Sequence, residues 1–112
     1  VHELAITQSL VDAVTEHTGG APVVAVHLRV GRLSGVVPDA MRFCFELVTE
    51  GTPLHGAVLD IDEPAGRAHC RSCGDVFGLC DLVLLCPCGS ADVVVLAGRE
   101  LAIASVEVAE RV

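Results

Sequence analysis

Five of the six cysteines crowd into the stretch HCRSCGDVFGLCDLVLLCPCGSAD, at positions 70, 73, 80, 86 and 88. That density points to a metal rather than to a disulfide framework. Cys70 and Cys73 are separated by two residues and followed by Gly74. This spacing lets two sulfurs face one ion while the glycine turns the backbone beneath them and frees N–H groups for the sulfurs. The second half-site, Cys86-Pro87-Cys88-Gly89, has one intervening residue where two is usual. Two such knuckles facing each other would hold Zn(II) in a closed tetrahedron of thiolates, a structural rather than a catalytic arrangement. The expected ligands are Cys70, Cys73, Cys86 and Cys88, with Cys80 an alternative to Cys86 or Cys88 and His69 a weaker candidate. A segment this short and glycine-rich lacks a core with which to fold without metal.

The remaining residues able to do chemistry are scattered. The chain opens Val1-His2-Glu3-Leu4, and a histidine at a terminus is ordinarily a solvated end residue. His17 falls in the last turn of an expected helix, where it favours the dipole. His27 lies on the polar side of an expected strand, and Cys44 stands where a small hydrophobe belongs. No Ser-His-Asp set, phosphate loop or His-Glu zinc-protease motif is present, so no enzyme is expected.

Composition narrows the partners. In 112 residues, 52% are apolar but only 3% aromatic, so the core must be aliphatic. Fifteen acidic against seven basic residues give a net charge of -8, the wrong sign for nucleic acid. No run approaches the roughly 18 apolar residues of a membrane span, and no leader pattern precedes the first helix. A cytoplasmic protein with reduced thiols is the expectation.

The elements that must position these groups are readable from periodicity. Ile6, Leu10, Ala13, Val14 and His17 predict a helix over 4–18, stopped by Gly19-Gly20. Residues 23–30 alternate as a half-buried strand, with Val24, Val26, Leu28 and Val30 on one face. A second helix follows Pro38, with Ala40, Phe43, Cys44, Leu47 and Val48 as its expected buried stripe. Residues 57–63 alternate again, with Asp60 and Asp62 outward, and residues after Gly98 read as a last strand whose alternation slips near Ala104-Ser105. The expected fold is α+β: a small three-stranded sheet with two helices on one face, interrupted by a four-cysteine, zinc-ribbon-like insert. The boundaries expected are 1–64 for the first part of the α/β domain, 65–94 for the insert and 95–112 for the final strand.

The segments VHEL, GRLSGVVPDAMRFCFE, GTPLHGAVLDID, CRSCG, CPCGS and GRELAIASVEV occur in one order along essentially the whole chain. In this the sequence resembles the hydrogenase nickel-incorporation proteins, the HypA/HybF family. The resemblance implies a nickel-binding α/β domain interrupted by a zinc domain. It also implies a metallochaperone that helps load Ni(II) into the large subunit of nickel-iron hydrogenase, together with the nickel-binding GTPase HypB and, in some members, urease maturation proteins. By position it assigns nickel binding to Val1, His2 and Glu3, with His2 the principal ligand, and zinc to Cys70, Cys73 and Cys88. Two positions depart from the family pattern. Valine stands where methionine is expected, as a valine-type start codon read literally would give. Cys86-Pro87-Cys88 replaces the usual Cys-Pro-x-Cys and makes Cys86 the least secure ligand.

With nickel in view, the terminus acquires a chemistry of its own. Ni(II) accepts square-planar nitrogen ligation. A free α-amine, the adjacent backbone amides and the His2 imidazole can form fused chelate rings, with Glu3 as an outer partner or axial oxygen. Such a site is shallow, suited to a cargo that must be handed on by a monomer or weak homodimer. Two readings of another class compete: a zinc-ribbon adaptor with an idle terminus, and a rubredoxin-like electron carrier with iron in the thiolate site.

Overall fold

A computed structural model describes residues 2–79 and 81–109. Val1 and Cys80, named above as a nickel ligand and a substitute zinc ligand, lie outside the described residues. The element order is α1 (Glu3–His17), β1 (Val23–Val30), α2 (Pro38–Val48), β2 (Val58–Asp62), β3 (Gly66–Cys70), β4 (Val76–Leu79), β5 (Val93–Ala97) and β6 (Leu101–Val108). The strands form two three-stranded sheets, β2-β1-β6 and β4-β3-β5. Two compact units result. One takes in the chain up to Leu28, Val36–Ile61 and the residues from Ala102 on; the other comprises Arg29–Gly35 and Asp62–Leu101. No helix among the described residues is long and apolar enough to cross a membrane.

In the first unit α1 packs against α2. The buried residues of α1 are Thr7, Leu10, Val11 and Val14, an i, i+3, i+4, i+7 set. The buried face is therefore rotated from the expected stripe: Ala13 and His17 are exposed. Threonine is tolerated in the core because its hydroxyl bonds back along the helix. Thr7 Oγ1 donates to the Glu3 carbonyl at 2.6 Å. Gly19 and Gly20, at φ +64° and +82°, end α1 where the sequence indicated.

Helix α2 departs from expectation more sharply. Met41 and Phe45 are buried and Cys44 is half-buried, whereas Phe43 and Leu47 are 64% and 55% exposed. The helix carries apolar residues on two faces, and periodicity alone favoured the wrong one. Strand β1 has the expected bounds, and Val26, Leu28 and Val30 are buried, but Val24 is half-exposed and Ala25 buried at its start. The last strand runs unbroken over eight residues.

The second unit is more than a hairpin insert. β3 pairs antiparallel with β4 and with β5, with a register shift between Arg67 and Ala68 on the β5 side. Leu33, Ala68 and Leu79 form its small core, flanked by Phe77, Leu84, Val93 and Val95. Leu33 comes from the segment after β1, which the periodicity assigned to neither strand nor helix. Its backbone is tied in by Leu33 N–H to Gly98 O at 2.6 Å and Gly31 N–H to Glu100 O at 2.7 Å. A Cβ on Gly31 would lie 2.1 Å from the Gly98 oxygen, so only glycine permits this approach. Gly98 itself has φ +108°, and its N–H is bonded by the Glu100 carboxylate at 3.0 Å.

Candidate metal centre

The two cysteine knuckles are built by strand ends and tight turns. Cys70 closes β3; its N–H bonds Asp75 O and its carbonyl accepts from Gly74 N–H, both at 2.9 Å. Gly74 makes this turn at φ +82°. The second knuckle repeats the pattern with one residue fewer. Cys86 N–H bonds Ser90 O at 2.9 Å, its carbonyl accepts from Gly89 N–H at 2.8 Å, and Gly89 has φ +94°. The short bite of Cys86-Pro87-Cys88 is thus accommodated by tightening the turn. Ser72 and Ser90 hydroxyls meet across the two knuckles at 2.9 Å, and Arg71 pairs with Asp92 at 3.6 Å. Neither contact was visible in the sequence, where only the cysteines carry a spacing signal.

The ligand atoms of Cys70, Cys73, Cys86 and Cys88 all lie within 4.8 Å of one another. Cys70 and Cys88 sulfurs stand 3.7 Å apart, and those of Cys73 and Cys86 3.6 Å apart. Four sulfurs around an ion with bonds of about 2.3 Å are separated by roughly 3.75 Å, so the cluster has the size of one tetrahedral site. Cys70 and Cys86 are buried while Cys73 and Cys88 are exposed. Backbone N–H groups point at sulfur in both knuckles, Cys73 to Cys70 and Cys88 to Cys86, each at 3.5 Å. His69, considered above as a ligand, is outside the cluster, paired in the ladder between Val76 and Val94.

The same N–H groups and the mutual approach of the sulfurs split the thiols. The Cys73 N–H, opposed by burial, brings Cys70 down to about 6. At Cys86 the Cys88 N–H also acts downward, but burial and the facing sulfurs overcome it and push the thiol up to about 12. One group is poised as a thiolate and another as a thiol, the state of four crowded sulfurs that share too little positive charge.

His2 and Glu3 belong to the first unit. His2 is exposed and extended, at φ -101° and ψ 93°, immediately ahead of α1. Glu3 is the first helical residue, and its Oε1 accepts the N–H of Val37, the residue before α2, at 3.4 Å. A third grouping was missed altogether: His27, Asp60 and Glu107, one from each strand of the first sheet, meet on its exposed side.

A family model described as hydrogenase/urease nickel incorporation, metallochaperone, hypA, matches residues 1–108. The chain belongs to the HypA family. It is 46% identical over 110 residues to the hydrogenase maturation factor HypA of Nostoc punctiforme, covering 98% of this chain and 97% of that one. The HypA of Geobacter metallireducens is likewise 46% identical, over 96% of this chain and 99% of its own. The solution structure of the Ni metallochaperone HypA from Helicobacter pylori superposes with a TM-score of 0.65 at 25% identity, covering 96% and 97% of the two chains. As a HypA the protein is a maturation factor, not an enzyme, and its cysteine cluster suits a bound metal. Family membership leaves neither the adaptor nor the electron-carrier reading any support.

Proposed function

We propose that this HypA binds Ni(II) at its N-terminus and helps deliver it to the large subunit of nickel-iron hydrogenase, while Zn(II) in the four-cysteine site serves structure. The observation that carries the nickel half is the placement of His2, exposed and extended beside a Glu3 whose carboxylate is engaged by Val37. An imidazole there is free to close chelate rings with the Val1 amine and the following amides. Glu3, with one oxygen already on a backbone N–H, suits an outer role that steadies the loop rather than a tight inner ligand.

Zinc is the ion proposed for Cys70, Cys73, Cys86 and Cys88, because tetrahedral thiolate sites of this size with N–H bonds to sulfur hold it without redox chemistry. We place the protein in the cytoplasm, where thiols stay reduced, working with the GTPase HypB as its partner, and in some settings with urease maturation proteins. No phosphate loop is present in this chain, so nucleotide hydrolysis falls to the partner.

Calorimetric titration of zinc-loaded wild type and His2→Ala with Ni(II) tests the reading. The expected result is loss of the tight equivalent in the variant with zinc content unchanged; undiminished tight binding would relocate the site. Extending the chain by an N-terminal tag should have the same effect as the substitution, since it converts the amine into an amide.

A further inference from the structure

His27 is held between two carboxylates supplied by the strands on either side of it. Its Nδ1 lies 3.0 Å from Asp60 Oδ2 on β2, and its Nε2 lies 3.5 Å from Glu107 Oε1 on β6. The imidazole is 31% exposed and the two carboxylates 65% and 63%, so the group is fixed by the sheet yet open to solvent. Exposed ion pairs of this kind stabilise a fold little. The arrangement is also unbalanced in charge. An imidazolium between two carboxylates leaves one negative charge over, whereas a divalent ion beside a neutral imidazole leaves none.

The geometry differs at the two nitrogens. At Nδ1 the distance suits an N–H donated to Asp60; in that tautomer the ring is fixed and Nε2 turns a lone pair toward Glu107. At Nε2 the gap to the carboxylate is longer. Two ligands on one ion with bonds of about 2.1 Å lie roughly 3.0–3.4 Å apart, so 3.5 Å admits an ion between them after a shift of a few tenths of an ångström. A carboxylate on one ring nitrogen and a metal on the other is the pattern that orients histidine ligands.

We propose that His27 Nε2 and Glu107 form a second, exposed site for a borderline divalent transition ion such as Ni(II), with Asp60 holding the imidazole in the required tautomer. Two protein ligands, with water completing the shell, make a site that captures and releases rather than retains. Imidazole with carboxylate favours nickel or zinc over magnesium or calcium, which prefer oxygen alone. The site is independent of His2 and of the cysteines.

The test uses the zinc-loaded full chain carrying His2→Ala, titrated with Ni(II) alone and followed by backbone NMR. Nickel in a site of two ligands and water is high-spin and broadens its neighbours, whereas square-planar nitrogen ligation at the terminus does not. Broadening confined to residues around 27, 60 and 107 is expected, lost in the added His27→Gln variant. Glu107→Gln should weaken it at least about tenfold, and Asp60→Asn by roughly 10–100-fold. An absence of broadening at these strands, or broadening that survives His27→Gln with the sheet intact, overturns the proposal. Neither outcome bears on nickel at the terminus, which the parallel titration of the chain with His2 restored reads separately.

Discussion

Cys73 Sγ and Cys86 Sγ stand 3.6 Å apart although their residues are thirteen positions apart in the chain. That separation matches the edge of a four-sulfur tetrahedron. It brings an exposed thiol of one knuckle against a buried thiol of the other. Among the described residues of the second unit, Leu33, Ala68 and Leu79 form a small buried apolar cluster, so this sulfur pair and its twin, Cys70 with Cys88, must supply closure that so small a core does not.

Replacing Cys73 by serine should therefore remove the metal and unfold the second unit. Atomic absorption is expected to fall from one ion per chain to near zero. Amide exchange in β3, β4 and β5 should rise to that of an unfolded segment. A zinc-free variant that keeps these strands protected would contradict the role given to the metal.

Zinc uptake should release protons, because the metal-free sulfurs do not all begin as thiolates. Cys70, brought to about 6 chiefly by the Cys73 N–H, is mostly ionised at pH 7. Cys86 is held up to about 12, and Cys73 is also raised, by burial and the Cys70 sulfur against the pull of the Asp75 N–H. These two must each lose a proton when a metal binds, so affinity rises with pH. Calorimetry in buffers of different ionisation enthalpy at pH 7 should report at least about two protons per ion.

Gly31→Ala should destabilise the second unit severely. The added Cβ would fall 2.1 Å from the backbone oxygen of Gly98, which cannot swing aside as the Glu100 carboxylate, 2.6 Å away, can. A loss of about 2–4 kcal/mol is expected for an overpacked backbone contact, read as an earlier midpoint in denaturant. Gly19→Ala meets open space and has only its positive φ to accommodate, so it should cost about 1 kcal/mol.

His27 predicts a pH dependence of the first unit. The hydrogen bond that His27 donates to Asp60, with Glu107 adding to it, raises the imidazole above its ordinary value of 6.5. A raised histidine stabilises the fold below its unfolded value, and that contribution is lost as pH rises through the folded one. Relative to His27→Gln, wild type should be more resistant to denaturant at pH 5.5 than at pH 8.5. A difference that does not change with pH would show the two ion pairs to be without effect on folding.

Much of this architecture is legible in the sequence. The knuckle spacing of Cys70 and Cys73, the alternation from Val23 to Val30 and the glycines after His17 are local signals, each set by residues a few positions apart. What escaped was set by pairing at a distance. Strand register is not written in any one strand, so His27, Asp60 and Glu107 could be placed on polar faces without being brought together. The union of Ser72 with Ser90 depends on both knuckles folding. Leu33 looked like a loop residue because the cluster it joins, with Ala68 and Leu79, lies more than thirty residues downstream. On α2, two apolar stripes of similar strength compete, and only packing decides between Phe45 and Phe43.

That last outcome has a colloidal consequence. Phe43 and Leu47 present a greasy strip to water, one helical turn apart, and such strips draw copies of a protein together. Mutual repulsion opposes that association, since every copy carries a net charge of -8. Acidification into the carboxylate range, or enough salt to screen the repulsion, weakens that opposition and leaves the strip free to draw copies together.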